Sequence, residues 1–272
     1  MADTGKGLRL RRLSLPNDGR YLFVPLDHSV SDGPVAPQQR WIDLLRALVI
    51  GGADAIIVHK GRVRTMPPEI LESCALVVHL SAGTSHAADA NAKVLVGDVE
   101  QALQLGADAV SVHVNVGSDT ESVQLADLAK VAGACARWGV PLLAMAYARG
   151  PNIADPHDPQ TIAHVVNIAA DLGADLVKTS APVPVERMAE VTANCPIPVL
   201  AAGGAPNGMD VATYGAAAMA AGCRGLAVGR RVFSAPAPSS VVSRLAAVVH
   251  TGAPRLDDRS ARFPMTTGVD AR

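Results

Sequence analysis

Gly-Gly-Ala-Asp-Ala-Ile-Ile-Val at 51–58 returns as Leu-Gly-Ala-Asp-Ala-Val-Ser-Val at 105–112 and as Leu-Gly-Ala-Asp-Leu-Val-Lys at 172–178. A looser copy, Ala-Gly-Cys-Arg-Gly-Leu-Ala-Val, stands at 221–228. Each phrase reads as a helix stopped by a left-handed glycine and followed at once by a short apolar strand. Between the four copies lie four further apolar runs, at 21–26, 76–80, 141–147 and 198–202, so four and four make eight strands. The segments between them carry helical stripes: Trp41, Leu44, Leu45 and Leu48 in one, Leu125, Leu128, Ala129 and Ala132 in another, Ile162, Val165, Val166 and Ala169 in a third. Continuous apolar strands alternating with amphipathic helices imply a parallel sheet covered on both faces. Eight such units predict closure into a single (β/α)₈ TIM barrel, with a doubly wound open sheet as the rival.

The 272 residues suit one such barrel, which takes about 250. Residues 1–250 are assigned to it, and 251–272 are read as an exposed tail or an oligomer contact. The stretch 93–98 is taken as a connection leading into a helix at 98–105. Hydrophobic residues make up 49% of the chain and charged ones 18%, so a large core is available. Lys plus Arg number 24 against 25 Asp plus Glu, a balance with no field to attract nucleic acid or an anionic membrane. The N-terminal stretch is charged without an apolar core segment, and no run approaches the length of a membrane span. A cytoplasmic protein acting on small molecules is expected. Cys74, Cys135, Cys195 and Cys223 stand singly, without metal-site spacing, and read as reduced thiols.

Barrel active sites lie at the C-terminal ends of the strands, so polar residues that close apolar runs carry the chemistry. Lys178 ends the sixth run as Asp175-Leu176-Val177-Lys178. Where the barrel interior meets its mouth a lysine is either desolvated or paired, and a neutral amine attacks a ketone to give an imine. The bland alternative is a Lys178–Asp27 salt bridge that merely fills the mouth. Lys60, followed by Gly61 and Arg62, is the competing amine and reads as a loop residue. Tyr147 closes the fifth run, and a phenol there moves protons or else only lines the rim. Asp27 would orient a hydroxyl or transfer a proton. His28 and His113 close strands as further substrate-facing candidates, although adjacent residues of a strand point to opposite faces and His28 is equally a structural histidine. Gly203, Gly204 and Gly229 let backbone N–H groups approach a phosphate, and Arg230 adds a charge-assisted contact. Two rival classes remain open: a zinc-dependent aldolase or isomerase built on His28, His59 and His113, and a phosphate-binding barrel without catalysis.

In combination and order, several segments resemble the archaeal-type class I aldolases related to deoxyribose-phosphate aldolase. They are Pro25-Leu26-Asp27-His28 with Ser31-Asp32-Gly33-Pro34, the run from Ala109 to Gly117, Tyr147-Ala148-Arg149-Gly150, Asp175-Leu176-Val177-Lys178-Thr179 and Ala202-Gly203-Gly204. The resemblance spans roughly residues 8–250. That group includes archaeal fructose-bisphosphate aldolase, aminodideoxyheptulosonate synthase and the aldolase opening the 3-amino-4-hydroxybenzoate route. The resemblance implies a cofactor-free, metal-free, often oligomeric enzyme. In it Lys178 is the Schiff-base lysine, Tyr147 transfers protons, Asp27 is its acidic partner, and Gly203, Gly204, Gly229 and Arg230 hold phosphate. It further implies dihydroxyacetone phosphate as donor and L-aspartate 4-semialdehyde as acceptor, with fructose-bisphosphate or heptulosonate chemistry as alternatives. Three positions depart from the pattern: Ser29 for the glycine after Asp-His, Ala148 for proline, and Met145 where fructose-bisphosphate aldolases carry tryptophan.

Overall fold

The computed structural model describes residues 4–14, 17–204 and 208–250; the 251–272 segment lies outside them. The eight barrel strands are β1 (Tyr21–Pro25), β2 (Ala55–His59), β3 (Ala75–His79), β4 (Ala109–Val116), β5 (Leu142–Ala148), β6 (Leu176–Thr179), β7 (Val199–Ala202) and β8 (Gly225–Ala227). They form a closed barrel in sequence order, every neighbouring pair parallel, and β8 pairs back onto β1. The open-sheet rival is therefore excluded.

The recurring phrase works as read. Gly52, Gly106, Gly173 and Gly222 have φ of 93°, 84°, 95° and 90°, which only glycine adopts without strain. The aspartate that follows in three copies has a structural task. Asp54, Asp108 and Asp175 accept hydrogen bonds from the backbone N–H of Leu22, Leu76 and Leu142, at 2.7, 2.9 and 2.8 Å. Each ties the start of one strand to its predecessor. The same three carboxylates meet His250 at 2.9 Å, Arg12 at 2.9 Å and Lys6 at 3.0 Å. Lys6 and Arg12 belong to the helix Thr4–Arg12, which covers the N-terminal end of the barrel and leads into the fully buried Leu13.

Strand parity divides the core. Phe23, Ala55, Ile57, Ala75, Val77, Ala109, Leu143, Met145, Leu176, Leu200 and Ala227 fill the barrel together with Leu13. Their neighbours Leu22, Val24, Ile56, Val58, Leu76, Val78, Val110 and Val112 pack outward against the helices. With both faces buried, the strands read as unbroken apolar runs rather than as alternation. One expectation needs correction. Within 93–98, Val94–Leu95 forms a two-residue strand, antiparallel to Ser81–Ala82 and outside the barrel. The helix that follows spans Val99–Gln104, with the Asp98 carboxylate capping it. None of the described helices is long and apolar enough to cross a membrane.

Candidate active site

Parity also decides which strand ends face the interior. Leu176 points inward, so Lys178, two residues on, does too; Met145 places Tyr147, Ile57 places His59, and Val77 places His79. These side chains, with Asp27, His28, His113 and Arg149, line a cavity of about 650 Å³ at the C-terminal ends of the strands. On the β7–β8 side its wall carries Gly203, Gly204, Gly229 and Arg230.

Lys178 is 7% exposed and its Nζ lies 5.9 Å from the centre of the Tyr147 ring. The carboxylate of Asp27 makes its ion-pair contacts with histidines, at 3.7 Å from His28 Nδ1 and 3.9 Å from His79 Nε2. Among the described residues Lys178 has no carboxylate within ion-pair distance, so the space-filling Lys178–Asp27 bridge weighed from the sequence is not formed. Its amine is available to a ligand.

Asp27 precedes the short helix His28–Ser31 without capping it through its side chain, and its Oδ1 is buried without a partner. A sealed carboxylate oxygen lacking a hydrogen bond is costly unless something binding there satisfies it. Burial alone would raise its pKa. The neighbouring charges of His79, Lys178, His28 and His59 outweigh burial and hold the carboxyl below its ordinary value. Burial pushes those three imidazoles down as well, His79 to about 4.

His79 is fully oriented. Its Nδ1 lies 2.8 Å from the hydroxyl of Ser111, a residue with no exposure. That contact holds the ring with Nε2 turned toward Asp27. His113 is fixed in the same manner. Its Nε2 contacts Asn115 Oδ1 at 2.9 Å, while the Asn115 amide donates to the carbonyl of Asn91 at 2.7 Å. The amide orientation makes Nε2 the donor. Burial, followed by the charge of Arg149, holds His113 well below the usual histidine range. It is a neutral ring packed 5.0 Å from that of Tyr147. The Arg149 guanidinium also lies over the Tyr147 ring, at 4.2 Å. The tyrosine ring is thus packed against both side chains, and its hydroxyl has no hydrogen-bond partner among the described residues.

The glycines behave less simply than the sequence implies. Gly203 N–H donates to Ala227 at 3.1 Å and Gly204 N–H to Ala202 at 2.9 Å, so neither donor is idle. A Cβ on Gly204 would meet nothing within 4 Å, whereas Gly203 and Gly229 stand where a Cβ does not fit. A Cβ on Gly203 would stand 2.6 Å from Val228 Cγ1, and one on Gly229 would stand 2.6 Å from the Pro25 carbonyl oxygen and 2.7 Å from His28 Cε1. His28 packs edge-on against Phe233 with 5.4 Å between ring centres.

A family model described as DeoC/LacD family aldolase matches residues 21–235. The chain belongs to the DeoC/LacD aldolase family. Among curated relatives, a 2-amino-4,5-dihydroxy-6-oxo-7-(phosphonooxy)heptanoate synthase of Streptomyces griseus is 48% identical over 99% of this chain and 98% of its own. A 2-amino-3,7-dideoxy-D-threo-hept-6-ulosonate synthase of Halobacterium salinarum is 39% identical over 93% and 94%. An archaeal fructose 1,6-bisphosphate aldolase of known structure superposes with a TM-score of 0.81 over 90% of this chain and 98% of its own, at 24% identity. That likeness establishes the aldolase barrel as the shared fold.

Within this aldolase the strand-end residues singled out in the sequence, Lys178, Tyr147, Asp27, His28, His113, Gly203, Gly204, Gly229 and Arg230, all border one cavity. Lys60 does not; it is exposed and donates to Gln101 at 3.0 Å. The zinc alternative finds no frame, since among the described residues no three His, Cys, Asp or Glu side chains converge in ligating geometry. Sequence reasoning passed over His79, Lys93 and Arg149 as site residues. His79 closes its apolar run as His59 does, and the two pair across β2 and β3; that shared position was the available signal.

Proposed function

We propose that this protein is a class I aldolase that joins dihydroxyacetone phosphate to L-aspartate 4-semialdehyde through a Schiff base on Lys178. The observation that carries the reading is an inward, buried lysine with no carboxylate within ion-pair distance among the described residues, set beside a buried tyrosine and an aspartate whose carboxyl is held below its ordinary pKa. Arrival at this substrate pair is chemical. In the product named for the Streptomyces relative, the C4 hydroxyl is β to the C6 ketone, so the aldol bond is C4–C5. Cleaving it gives dihydroxyacetone phosphate from C5–C7 and the amino-acid aldehyde from C1–C4.

The Lys178 amine adds to the donor ketone. Tyr147 gives its proton to the carbinolamine oxygen, which leaves as water, and an iminium remains. The phenolate then takes a proton from the hydroxymethyl carbon, producing the enamine. Enamine carbon attacks the aldehyde carbon while the phenol protonates the new alkoxide, and addition of water releases product and the free amine. The Asp27 carboxylate stabilises the iminium charge, with His79 and Ser111 holding it in place. Arg230 and the wall at Gly203, Gly204 and Gly229 receive the phosphate, with His28 beside them and His113 beside Tyr147. Water is the only small molecule these steps require, so no cofactor enters the scheme. A homo-oligomer in the cytoplasm completes the reading, a reducing compartment suiting the free thiols of Cys74, Cys135, Cys195 and Cys223.

The test is borohydride reduction with dihydroxyacetone phosphate followed by peptide mass spectrometry. A reduced adduct is expected on the peptide containing Lys178, absent in Lys178→Met, with activity that survives EDTA. An adduct on Lys60, or activity lost on chelation, overturns the assignment.

A further inference from the structure

The proposed product is anionic at both ends, and only one end is served by Arg230. Across the cavity, on the side of β4 and β5, two more cations reach the lining: Arg149, just beyond β5, and Lys93, at the edge of the small ribbon. Neither has a carboxylate within ion-pair distance among the described residues. Lys93 Nζ donates to the carbonyl of Ala90 at 2.8 Å. Its side chain lies across Gly83, where a Cβ would stand 2.8 Å from that same nitrogen. Arg149 lies over the Tyr147 ring, its Cζ 4.2 Å from the ring centre. Lys93 is thus tied by a hydrogen bond, and Arg149, although exposed, rests over an aromatic ring.

From this arrangement we infer that Lys93 and Arg149 form the subsite for the carboxylate of the acceptor aldehyde, and so select an amino-acid semialdehyde over a neutral one. The inference rests on the aldolase reading and extends it to the second substrate. Barrel order supports it: Lys178 on β6 stands between the phosphate wall of β7 and β8 and the Tyr147–Arg149 wall of β5. An acceptor anchored at Arg149 keeps its aldehyde beside the phenol that protonates the new alkoxide. Two cations set near each other without an anion oppose one another. Burial and then the charge of Arg149 depress the Lys93 ammonium, only partly offset by Asp89 and Asp32, and a bound carboxylate relieves that repulsion.

The experiment compares acceptors with dihydroxyacetone phosphate in saturating excess: L-aspartate 4-semialdehyde, succinic semialdehyde, which keeps the carboxylate and lacks the amine, butanal, which lacks both, and glyceraldehyde 3-phosphate. Wild-type enzyme is expected to prefer succinic semialdehyde to butanal. In Lys93→Gln the KM for both semialdehydes rises about tenfold to hundredfold, the range for a lost hydrogen bond to a charged group. The KM for butanal stays within about threefold, and Lys93→Arg restores the preference. Equal use of succinic semialdehyde and butanal by wild-type enzyme overturns the inference whatever the variant does, and so does a preference for glyceraldehyde 3-phosphate over the semialdehydes. The borohydride adduct on Lys178 requires donor alone. Its absence sinks the aldolase reading, whereas its presence with indiscriminate acceptors sinks only the subsite.

Discussion

Replacing Tyr147 with Phe separates chemistry from architecture because the structure assigns the ring and the hydroxyl different tasks. The ring is buried, 5% exposed, stacked beside His113 at 5.0 Å and under Arg149 at 4.2 Å. Phenylalanine keeps all of that. The hydroxyl makes no hydrogen bond to a described residue, so its removal forfeits none of the roughly 0.5–1.5 kcal/mol of a neutral hydrogen bond. What remains is a slightly weaker cation–π contact, a fraction of the about 0.5–1 kcal/mol such pairs contribute. Stability should fall by less than about 0.5 kcal/mol, a melting shift of about 1–2 °C for a chain of this size. Turnover should fall far more, by the roughly 10²–10⁴-fold typical of an acid–base group, with little change in donor binding. Borohydride trapping in the variant shows whether carbonyl capture survives when later proton transfers fail. Steady-state kinetics and thermal denaturation on one preparation decide the matter. A kcat within a few-fold of wild type removes Tyr147 from the proton path, and a large loss of stability means that the hydroxyl has an architectural role instead.

Arg230→Ala should weaken binding of dihydroxyacetone phosphate by about 1.5–3 kcal/mol, the range for hydrogen bonds to charged groups, and affect unphosphorylated dihydroxyacetone much less; equal losses, measured by titration, would reassign Arg230. Gly229→Ala places a methyl group against the Pro25 carbonyl, which cannot retreat without moving β1, so about 1–3 kcal/mol of stability should be lost in urea denaturation. His250 bridges Asp18 and Asp54 at 2.9 Å each; burial opposes its charge, but the two carboxylates prevail and raise its pKa. A folded-state pKa above the unfolded value of about 6.5 means that this clasp stabilises fully below that pH and is lost as pH rises through the raised value. Denaturation midpoints across that window should decline in wild type and stay flatter in His250→Asn; parallel curves would refute the clasp.

Local sequence was sufficient for the eight barrel strands and for much of the cavity lining, though not for the ribbon at Val94–Leu95. A glycine that must take a left-handed turn, followed by unbroken apolar residues, has one economical reading, and four copies with four matching runs count out a barrel. Lys178, Tyr147 and Asp27 were legible as lining residues because a polar residue that closes an apolar run stands at the mouth of the barrel, where all three border the cavity. The Gly-Ala-Asp phrase was legible as punctuation, but its aspartates could not be assigned to the N-terminal rim until the strands they tie together were adjacent. Closure alone decided the remainder. It brought His79 of β3 and Ser111 of β4, 32 residues apart in the chain, into one hydrogen bond aimed at Asp27. It also carried Lys93, in what reads as a mere connection, over Gly83 to the rim it shares with Arg149. Ionisation was likewise undetermined beforehand, since the direction of each shift depends on burial and on charges supplied by other strands. The Gly203 N–H, expected to face a phosphate, was taken up by Ala227 of the neighbouring strand for the same reason: such hydrogen-bond partners are set by which strands become neighbours, and a linear chain does not contain that information residue by residue.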